Sequence, residues 1–379
     1  MQDCPVLLAV DGNSLVHRSF HSQAGTGLRS ADGRPLWAIR GLLTQLVAAA
    51  QRICPAAIVV GFDDPAASQR RTRWPQYKSG RTEKLQTLVS QLDGAAAVLR
   101  GMGIAVVVPD GLEADDVLAS AASFAPRVGA RTVIMTSDRD SFALIDEHTR
   151  VLRIINGGVD ASPLLTPDLL ALMLGIRPEQ YCDYAALRGD PSDNLPGVRG
   201  VGAKTAARLL TELGSAAAVF DDLAAGGARV RAAVGSAAAN RLARPEARAA
   251  WELNCQVMRM RRDLELGLDL SGGPGALPLD PAAVDAAFRA HQLTWTTPAA
   301  LQFLAYQDPP ERPVEHAWTA TGAEWVSSPP GRHPAVASGR SAGATRTPIE
   351  HGRPGRRFGK LAKPAGQPKD AAVQLSLFD

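Results

Sequence analysis

Short apolar, β-branched runs alternate with longer amphipathic stretches along the first part of the chain. The clearest runs cover residues 6–10, 57–60, 104–108 and 132–135. The stretches between them are long enough for helices, and strands that alternate with helices are typical of a parallel sheet covered by helices on both faces. The pattern therefore predicts an α/β domain over residues 1–178.

The pattern changes after residue 178. Strand-like runs stop, and segments rich in Ala, Leu and Arg take over, for example at residues 204–213 and 238–260, with Gly and Pro between them. We expect residues 179–305 to form a smaller, helical domain. From 306 to 373 the chain is rich in Pro, Gly, Ser and Arg, a composition that buries too little apolar surface to offset the entropy of ordering. We predict that this segment is a disordered linker.

The linker is also basic. Residues 340–369 contain eight Lys and Arg against one Glu. Such a stretch suits a loose, salt-sensitive attraction to phosphate, although a merely soluble tether explains the composition equally well.

Composition narrows the class of protein. A chain of 379 residues with 45% hydrophobic residues can bury a sizeable core. No apolar stretch approaches the roughly 20 residues of a membrane helix, and the N-terminal run lacks the basic flank of a signal peptide, so we expect a cytoplasmic protein without membrane contact. The four cysteines show neither a C-x-x-C pair nor metal spacing, and we expect buried, reduced thiols. The formal net charge of +3 is too small to indicate a partner.

Acidic residues follow each predicted strand, and two more precede the first helical segment, at residues 204–213. The nine candidates are Asp11, Asp63, Glu113, Asp115, Asp116, Asp138, Asp140, Asp190 and Asp193. Because parallel sheets present ligand sites at the carboxyl ends of their strands, we expect these side chains to meet at one edge. So many like charges would raise their own pKa values unless cations neutralised them.

Hard oxygen ligands in this number indicate Mg²⁺ or Mn²⁺, and we expect two ions. Two such ions suit hydrolysis of a phosphodiester, because one activates water while the other stabilises the leaving oxygen. Taken singly, each acid also has a structural explanation. Glu113, Asp115 and Asp116 suit a helix N-terminus, and Asp190 and Asp193 suit a turn. It is the convergence of the clusters that favours a metal site.

A glycine-rich segment lies at residues 195–206 and contains Gly197, Gly200 and Gly202, followed by Lys204 and Thr205. It fails as a Walker loop because an alanine separates the last glycine from the lysine, and no third glycine completes a dinucleotide fingerprint. A helix-hairpin-helix fits better. Its exposed backbone amides would bind a DNA phosphate, often through a monovalent cation such as K⁺. A plain packing role is the alternative.

A basic segment at residues 68–81 follows the second predicted strand. Its candidate nucleic-acid contacts are Arg70, Arg73, Tyr77, Lys78 and Arg81. Rings that stack on bases and cations that follow phosphates suit single-stranded nucleic acid. A solvated loop is the alternative, but the position directly after an acidic strand end favours function.

Together these motifs resemble the 5′-nuclease domain of bacterial DNA polymerase I and the wider flap endonucleases. The matching segments are VDGNSL at 10–15 with Arg18, FD at 62–63, YK at 77–78 with Arg81, EADD at 113–116, SDRD at 137–140, and 189–206. The resemblance covers about residues 5–305. It implies a PIN-like α/β fold, a helix-hairpin-helix (H3TH) domain, a basic arch around residues 66–100, and cleavage of 5′ single-stranded DNA flaps.

The resemblance also implies roles for these residues. A first ion would be held by Asp11, Asp63, Glu113 and Asp115, and a second by Asp115 or Asp116 with Asp138, Asp140, Asp190 and Asp193. Asp11 and Asp138 would thereby be catalytic. Lys78 and Arg81 would be catalytic cations at the scissile phosphate, and Arg18 and Arg70 would contact further phosphates.

The last residues, QLSLFD at 374–379, resemble the peptide with which bacterial proteins bind the sliding clamp. Gln374, Leu375, Leu377 and Phe378 would make the contact, and the linker would raise the local concentration of the enzyme. An accidental apolar terminus is the alternative. Too few residues follow the helical domain for a polymerase, so we expect a stand-alone, monomeric, nucleoid-associated protein.

We therefore expect a metal-dependent, structure-specific 5′-nuclease that acts on DNA in replication and repair. A non-catalytic adaptor that binds DNA junctions is one alternative, and the full set of acids argues against it. A PIN-type ribonuclease is another, and the hairpin favours duplex DNA instead.

Overall fold

A sheet of six strands lies at the centre of the computed structural model, which describes residues 4–30, 32–81 and 84–306. The strands are β1 Val6–Asp11, β2 Ala57–Gly61, β3 Ala105–Val107, β4 Arg131–Thr136, β5 Thr149–Arg153 and β6 Leu164–Leu165. Their order is β3-β2-β1-β4-β5-β6, and only the β5–β6 pair is antiparallel. The predicted α/β class is confirmed, and the four predicted runs are the four strands β1 to β4.

Helices cover both faces of the sheet and make up the region after it. They are α1 Gly12–Gln23, α2 Trp37–Ile53, α3 Gln69–Arg73, α4 Gln86–Gly101, α5 Ala114–Phe124, α6 Pro167–Leu174, α7 Tyr181–Arg188, α8 Ala203–Leu213, α9 Ala216–Ala224, α10 Ala228–Val234, α11 Ser236–Leu242, α12 Pro245–Val257, α13 Pro281–Ala290 and α14 Thr297–Ala300. A short antiparallel ribbon, β7 Gly189–Asp190 and β8 Leu195–Pro196, separates α7 from α8.

Single turns of other helix types link these elements. The 3-10 turns are Ala24–Thr26, Ala125–Val128, Asp140–Leu144, Pro178–Gln180 and Pro191–Asp193. A π-helix, Leu301–Tyr306, ends the part of the chain that the structure describes.

Two apolar cores lie on opposite faces of the sheet. Successive strand residues point to opposite faces, so Leu7 and Ala9 of β1 enter the first core while Leu8 and Val10 enter the second. The first core continues into the helical region, where Leu209 of α8 is one of its members. The sheet and the helical region are therefore packed together through one continuous core.

The second core holds two segments whose position the sequence did not indicate. Leu88 and Leu99 place α4 against α1 and α2, so this helix, inside the predicted arch of residues 66–100, packs on the body. Val284 and Phe288 of α13 are fully buried in the same core. The end of the predicted helical domain thus packs on the far face of the sheet from α7 and α8.

The four cysteines are free thiols, as predicted, but the prediction that they are buried was wrong. Cys182 is exposed, and Cys4, Cys54 and Cys255 are half-buried. Cys54, for example, caps α2 in a left-handed conformation at the end of the helix, where solvent reaches it. Within the described ranges, no helix combines the length and apolarity needed to cross a membrane. The predicted linker beyond residue 306 and the peptide at 374–379 lie outside the described residues.

Candidate active site

Asp11, at the end of β1, is held by groups from two elements. Its Oδ1 accepts a hydrogen bond from the Ser14 backbone N at 2.9 Å, and its Oδ2 accepts one from Thr136 Oγ1 at 2.7 Å. The same Thr136 hydroxyl accepts a hydrogen bond from the Asp138 backbone N at 3.0 Å. Because β1 and β4 are adjacent parallel strands, this hydroxyl joins their carboxyl ends. Thr136 therefore places Asp11 and Asp138 beside one another.

Asp63, which follows β2, is fixed in a similar way. Asn13 Nδ2 donates to Asp63 Oδ2 at 2.5 Å, and the Asp63 backbone N donates to Asn13 Oδ1 at 3.1 Å. The backbone N of Ala114, at the start of α5, donates to Asp63 Oδ1 at 3.0 Å. This acid therefore links the first turn of α1 to the start of α5.

The acids at the ends of β1, α5 and β4 influence one another electrostatically. Burial, and then the charges of Asp138 and Asp63, raise the pKa of Asp11 from 3.8 to about 7. Burial, followed by Asp138 and Asp11, raises the pKa of Asp115 well above its ordinary value. Asp138 itself is exposed and faces solvent at this edge. The predicted gathering of acids at the strand ends is thus visible in their mutual repulsion.

The acids before the hairpin reach the same place. Burial and the charges of Asp138, Asp190 and Asp193 raise the pKa of Asp140 well above its ordinary value. Asp190 Oδ1 accepts hydrogen bonds from the backbone N and the hydroxyl of Ser192, at 2.8 and 2.6 Å. The ribbon between α7 and α8 therefore turns its acids towards the sheet edge.

Glu113 and Asp193 carry cationic partners. Glu113 Oε2 accepts hydrogen bonds from Tyr77 Oη at 3.0 Å and from Lys78 Nζ at 3.1 Å. Asp193 Oδ1 accepts one from Arg81 Nη2 at 2.5 Å, and Lys78 Nζ lies 4.0 Å from Asp193 Oδ2. Burial opposes the charge of Lys78, but Glu113 and Asp193 outweigh it and raise the pKa of this ammonium group. The predicted catalytic cations thus lie among the predicted metal ligands.

Arg70 and Asp116 are placed differently from the prediction of a phosphate contact and a metal ligand. Asp116 is 0% exposed and Arg70 8% exposed, and their side chains form a bidentate ion pair. The basic segment folds back at this point because the buried carboxylate needs a cation, which Arg70 supplies. The sequence alone does not distinguish a cation that faces solvent from one that pairs inside the protein.

Tyr77 also departs from its predicted role as a base-stacking residue. Its ring is 6% exposed and packs with Leu195 and Val257. The exposed Arg73 guanidinium lies 4.8 Å from the centre of the Trp74 ring, which leaves these two at the surface of the basic segment.

Arg18, in α1, contacts the loop that follows β5. Its Nη2 donates to Asn156 Oδ1 at 2.8 Å, in the loop after β5. Burial lowers the pKa of this guanidinium, which lies on the first helix after β1. Arg18 is thus half-buried and bonded to the loop after β5.

The glycine hairpin forms where it was predicted, and α8 begins at Ala203. Gly197 passes so close to the end of α7 that a Cβ atom there would lie 2.0 Å from the carbonyl oxygen of Arg188. Gly200 has a φ of +81°, a conformation that glycine adopts without strain. The end of the turn is open to solvent: Gly202 and Lys204 are exposed, and the neighbouring Thr205 is half-buried.

Carboxylates from three elements line one cleft. Glu113, Asp115, Asp140 and Asp193 all contribute to its wall. Over the described ranges, no three Asp, Glu, His or Cys side chains are arranged so that they could hold a metal ion together. The donors nevertheless fit a hard divalent cation, because they are carboxylate oxygens whose mutual repulsion a cation would relieve.

Two orienting side chains were missed in the sequence, Asn13 and Thr136. Both lie in the strand-end motifs, two residues from Asp11 and Asp138 respectively. The sequence signal that could have identified them is a polar side chain two residues from an acid at a strand end. Such outer partners fix the orientation of the acids they bind.

A mostly parallel sheet whose strand ends gather acids and cations, joined to a glycine hairpin, indicates a nuclease. Residues 6–167 match the family described as 5'-3' exonuclease, N-terminal resolvase-like domain. Residues 176–275 match the 5'-3' exonuclease, C-terminal SAM fold. The chain therefore belongs to the 5′-3′ exonuclease family.

The relatives of the chain include longer proteins. DNA polymerase I of Mycobacterium bovis is 35% identical over 279 residues, which is 73% of this chain and 29% of the polymerase. The thermostable DNA polymerase I of Thermus aquaticus is 40% identical over 217 residues, 57% of this chain and 25% of the polymerase. The chain thus spans less than a third of the length of these curated relatives.

A solved structure shares the fold. The bacteriophage T5 D15 flap endonuclease, in a pseudo-enzyme-product complex with DNA and metal ions, matches with a TM-score of 0.52 at 19% identity. The match covers 79% of this chain and 99% of that one. At this identity the likeness shows the fold alone.

Proposed function

We propose that the chain is a divalent-metal-dependent nuclease that hydrolyses DNA at 5′ flaps and 5′ ends during replication and repair. The observation that carries this proposal is the group of acids at the strand ends. Burial, together with the charge of Asp138, raises the pKa of Asp11, Asp115 and Asp140 there. The flap endonuclease of bacteriophage T5, whose structure contains DNA and metal ions, supports the choice of substrate and cofactor.

The acids at the strand ends and in the ribbon would hold two Mg²⁺ or Mn²⁺ ions. The proposed ligands are Asp11, Asp63, Glu113, Asp115, Asp138, Asp140, Asp190 and Asp193. When bound, two such ions supply an activated water and stabilise the leaving oxygen. Thr136 and Asn13 orient the acids for this task through the hydrogen bonds described above.

The cations would bind the charge of the substrate. Lys78 and Arg81, held by Glu113 and Asp193, would face the scissile phosphate. Arg18 and Arg73 would follow the single strand. The exposed amides of the hairpin, with Lys204 and Thr205 and a K⁺ ion, would hold a phosphate of the duplex without reading its bases.

The test is cleavage of an end-labelled 5′-flap DNA by the purified full chain. We expect cleavage near the junction with Mg²⁺ and none with EDTA. A protein that binds the flap but leaves it intact at every Mg²⁺ and Mn²⁺ concentration would instead be a junction-binding adaptor.

A matched RNA flap separates the proposal from a ribonuclease. The hairpin would contact the duplex on the far side of the junction, so we expect the DNA flap on DNA duplex to be cleaved faster. Faster cleavage of an all-RNA substrate would point to a PIN-type ribonuclease.

The peptide at 374–379 lies outside the described residues, and its role is proposed from the sequence. We propose that Gln374, Leu375, Leu377 and Phe378 bind a bacterial sliding clamp while the basic linker tethers the monomeric nuclease at the nucleoid. Deletion of residues 374–379 should leave basal cleavage intact and remove stimulation by a clamp. Equal stimulation of both proteins would contradict this part of the proposal.

A further inference from the structure

The ion pair between Arg70 and Asp116 lies next to the acidic cleft but is closed to solvent. The guanidinium meets both carboxylate oxygens, with Nη1 to Oδ2 at 2.8 Å and Nη2 to Oδ1 at 2.7 Å. Side-chain exposure is 0% for Asp116 and 9% for Arg70. In a buried bidentate pair of this kind, each partner neutralises the charge of the other.

Backbone amides occupy the remaining hydrogen-bonding positions of the Asp116 carboxylate. Oδ2 accepts a hydrogen bond from Glu113 N at 3.0 Å, which is half of a capping box at the start of α5. Oδ1 accepts one from Arg261 N at 2.8 Å. A carboxylate offers about four lone-pair sites, and the two amides and the two guanidinium nitrogens of Arg70 fill them. A metal ion could bind Asp116 only by displacing one of these donors.

The other donors of Arg70 reach two further parts of the protein. Nη1 donates to Glu113 Oε2 at 3.1 Å. Nε donates to the carbonyl oxygen of Val257 at 3.2 Å, and Nη2 donates to that of Arg259 at 3.0 Å. The guanidinium therefore connects an acid of the cleft to the C-terminal end of α12.

Helix α12 is in turn bonded to both sides of the β7–β8 ribbon, which precedes the hairpin. Asn254 Nδ2 donates to the carbonyl oxygens of Ala186, in α7, and Pro196, in β8, each at 2.9 Å. Asn254 is 1% exposed, so these bonds are protected from water. Arg70 and Asn254, which bond at the last turn of α12, thus connect Glu113 through this helix to the ribbon before the hairpin.

We propose that Arg70 and Asp116 form a positioning pair that orients Glu113 and holds the hairpin region in register with the acids, without contacting metal or DNA. The inference rests on the proposed nuclease function. Arg70, Tyr77 and Lys78 all donate to Oε2 of Glu113, so three side chains fix the orientation of this carboxylate at the cleft.

The first test compares Asp115→Asn with Asp116→Asn, the same change at adjacent positions of α5. Mn²⁺ is titrated into the metal-free full chain, and bound ions are counted by electron paramagnetic resonance. We expect Asp115→Asn to lose a bound ion. Asp116→Asn should keep the number of the wild type, with an affinity weakened by about 10- to 100-fold, as is usual for an outer partner. Loss of an ion in Asp116→Asn would make it a ligand and overturn the proposal.

Kinetics on flap DNA give a second readout. Asp116→Asn should lower kcat by about 10- to 100-fold, because Glu113 is no longer held, and should change KM by less than about twofold. A rise in KM with kcat unchanged would contradict a role in positioning the acid.

A rescue experiment tests the pair itself. Arg70→Gln and Asp116→Asn each leave a buried charge without its partner, so each should lower Tm, and the double variant should recover much of the loss. Additive losses would show that the two residues do not act together. If the wild type fails to cleave any flap, the proposed function fails, while the ion count and the recovered Tm still decide the pairing.

Arg73→Gln is the matched control for the phosphate contact. Arg73 lies on the same helix but is exposed. Its loss should weaken flap binding and lower the salt dependence by about one phosphate contact, whereas Arg70→Gln should leave the salt dependence unchanged. An equal drop in salt dependence for both variants would place Arg70 on the DNA.

Discussion

The acidic edge and the glycine hairpin would both meet phosphate, but they are built on opposite principles. The edge is crowded with charge, and burial together with neighbouring acids raises the pKa of Asp11 and Asp115. The hairpin contains no acid, and its form depends on positions without side chains, such as Gly197. The function and stability of the edge should therefore depend on pH and cations, and those of the hairpin on steric changes and salt.

The largest effect should come from removing an acid at the edge. Asp138→Ala should reduce cleavage of a labelled flap by more than about 100-fold, beyond the loss caused by an outer partner. Binding of the flap, measured by fluorescence anisotropy in Ca²⁺, should be retained, because the hairpin is untouched. Asp221→Ala, which removes an exposed acid on α9, is the control and should cleave normally. Loss of binding together with cleavage would mean that the two regions are not separable.

A steric change in the hairpin should have the next largest effect. It should lower the stability of the protein, whereas the loss of Asp138 lowers cleavage. Gly197→Ala would place a methyl group against backbone, which cannot move aside as a side chain can, and should cost roughly 3 kcal/mol of unfolding free energy in urea. The control is Gly202→Ala. No atom lies within 4 Å of a Cβ there, and the cost should stay below about 1 kcal/mol. Equal costs at the two glycines would contradict the close crossing.

The third prediction concerns pH. A carboxyl whose pKa is raised in the folded protein binds more protons there than in the unfolded chain. Stability of the metal-free protein should therefore fall as pH rises from about 4 towards the value of about 7 for Asp11. Mg²⁺ should raise Tm more at pH 8 than at pH 5, as measured by scanning calorimetry.

The control for the pH prediction is Asp11→Asn, which should flatten the pH dependence of Tm. An unchanged slope in this variant would show that the pKa of Asp11 is not raised in the folded protein.

The smallest effect should come from Lys204→Ala. Lys204 is exposed beside the hairpin, so its loss should lower the salt dependence of flap binding by about one phosphate contact. The weakening should be the same at pH 6 and pH 8, because the hairpin has no acid to titrate. A weakening that differs between pH 6 and pH 8 would show that a titrating group also affects binding at the hairpin.

Much of the architecture followed from periodicity and strand ends. The buried strands β1 and β4 are apolar runs that end in a turn with acids, so both the sheet and the position of Asp11 and Asp138 were predictable. The start of α8 was predictable too, because two glycines and a helix-forming segment follow one another in the sequence. These features depend on local chemistry.

The features that sequence did not indicate depend on distant partners. Arg70 and Asp116 are 46 residues apart and bond to one another, and Tyr77 turns inward to Glu113. The strand β5 was missed because arginines at positions 150 and 153 interrupt its apolar pattern. Charged and aromatic residues that look available in sequence can be used up inside the fold.

The continuity of the first core determines how the gene can be divided. Leu7 of the sheet and Leu209 of α8 belong to the same apolar cluster, so a boundary placed near residue 178 cuts through the interior. Either fragment would expose a broad apolar surface to water. Such a surface favours aggregation or binding by chaperones. The two family segments are best regarded as a single module that is transplanted, truncated or fused only as a whole.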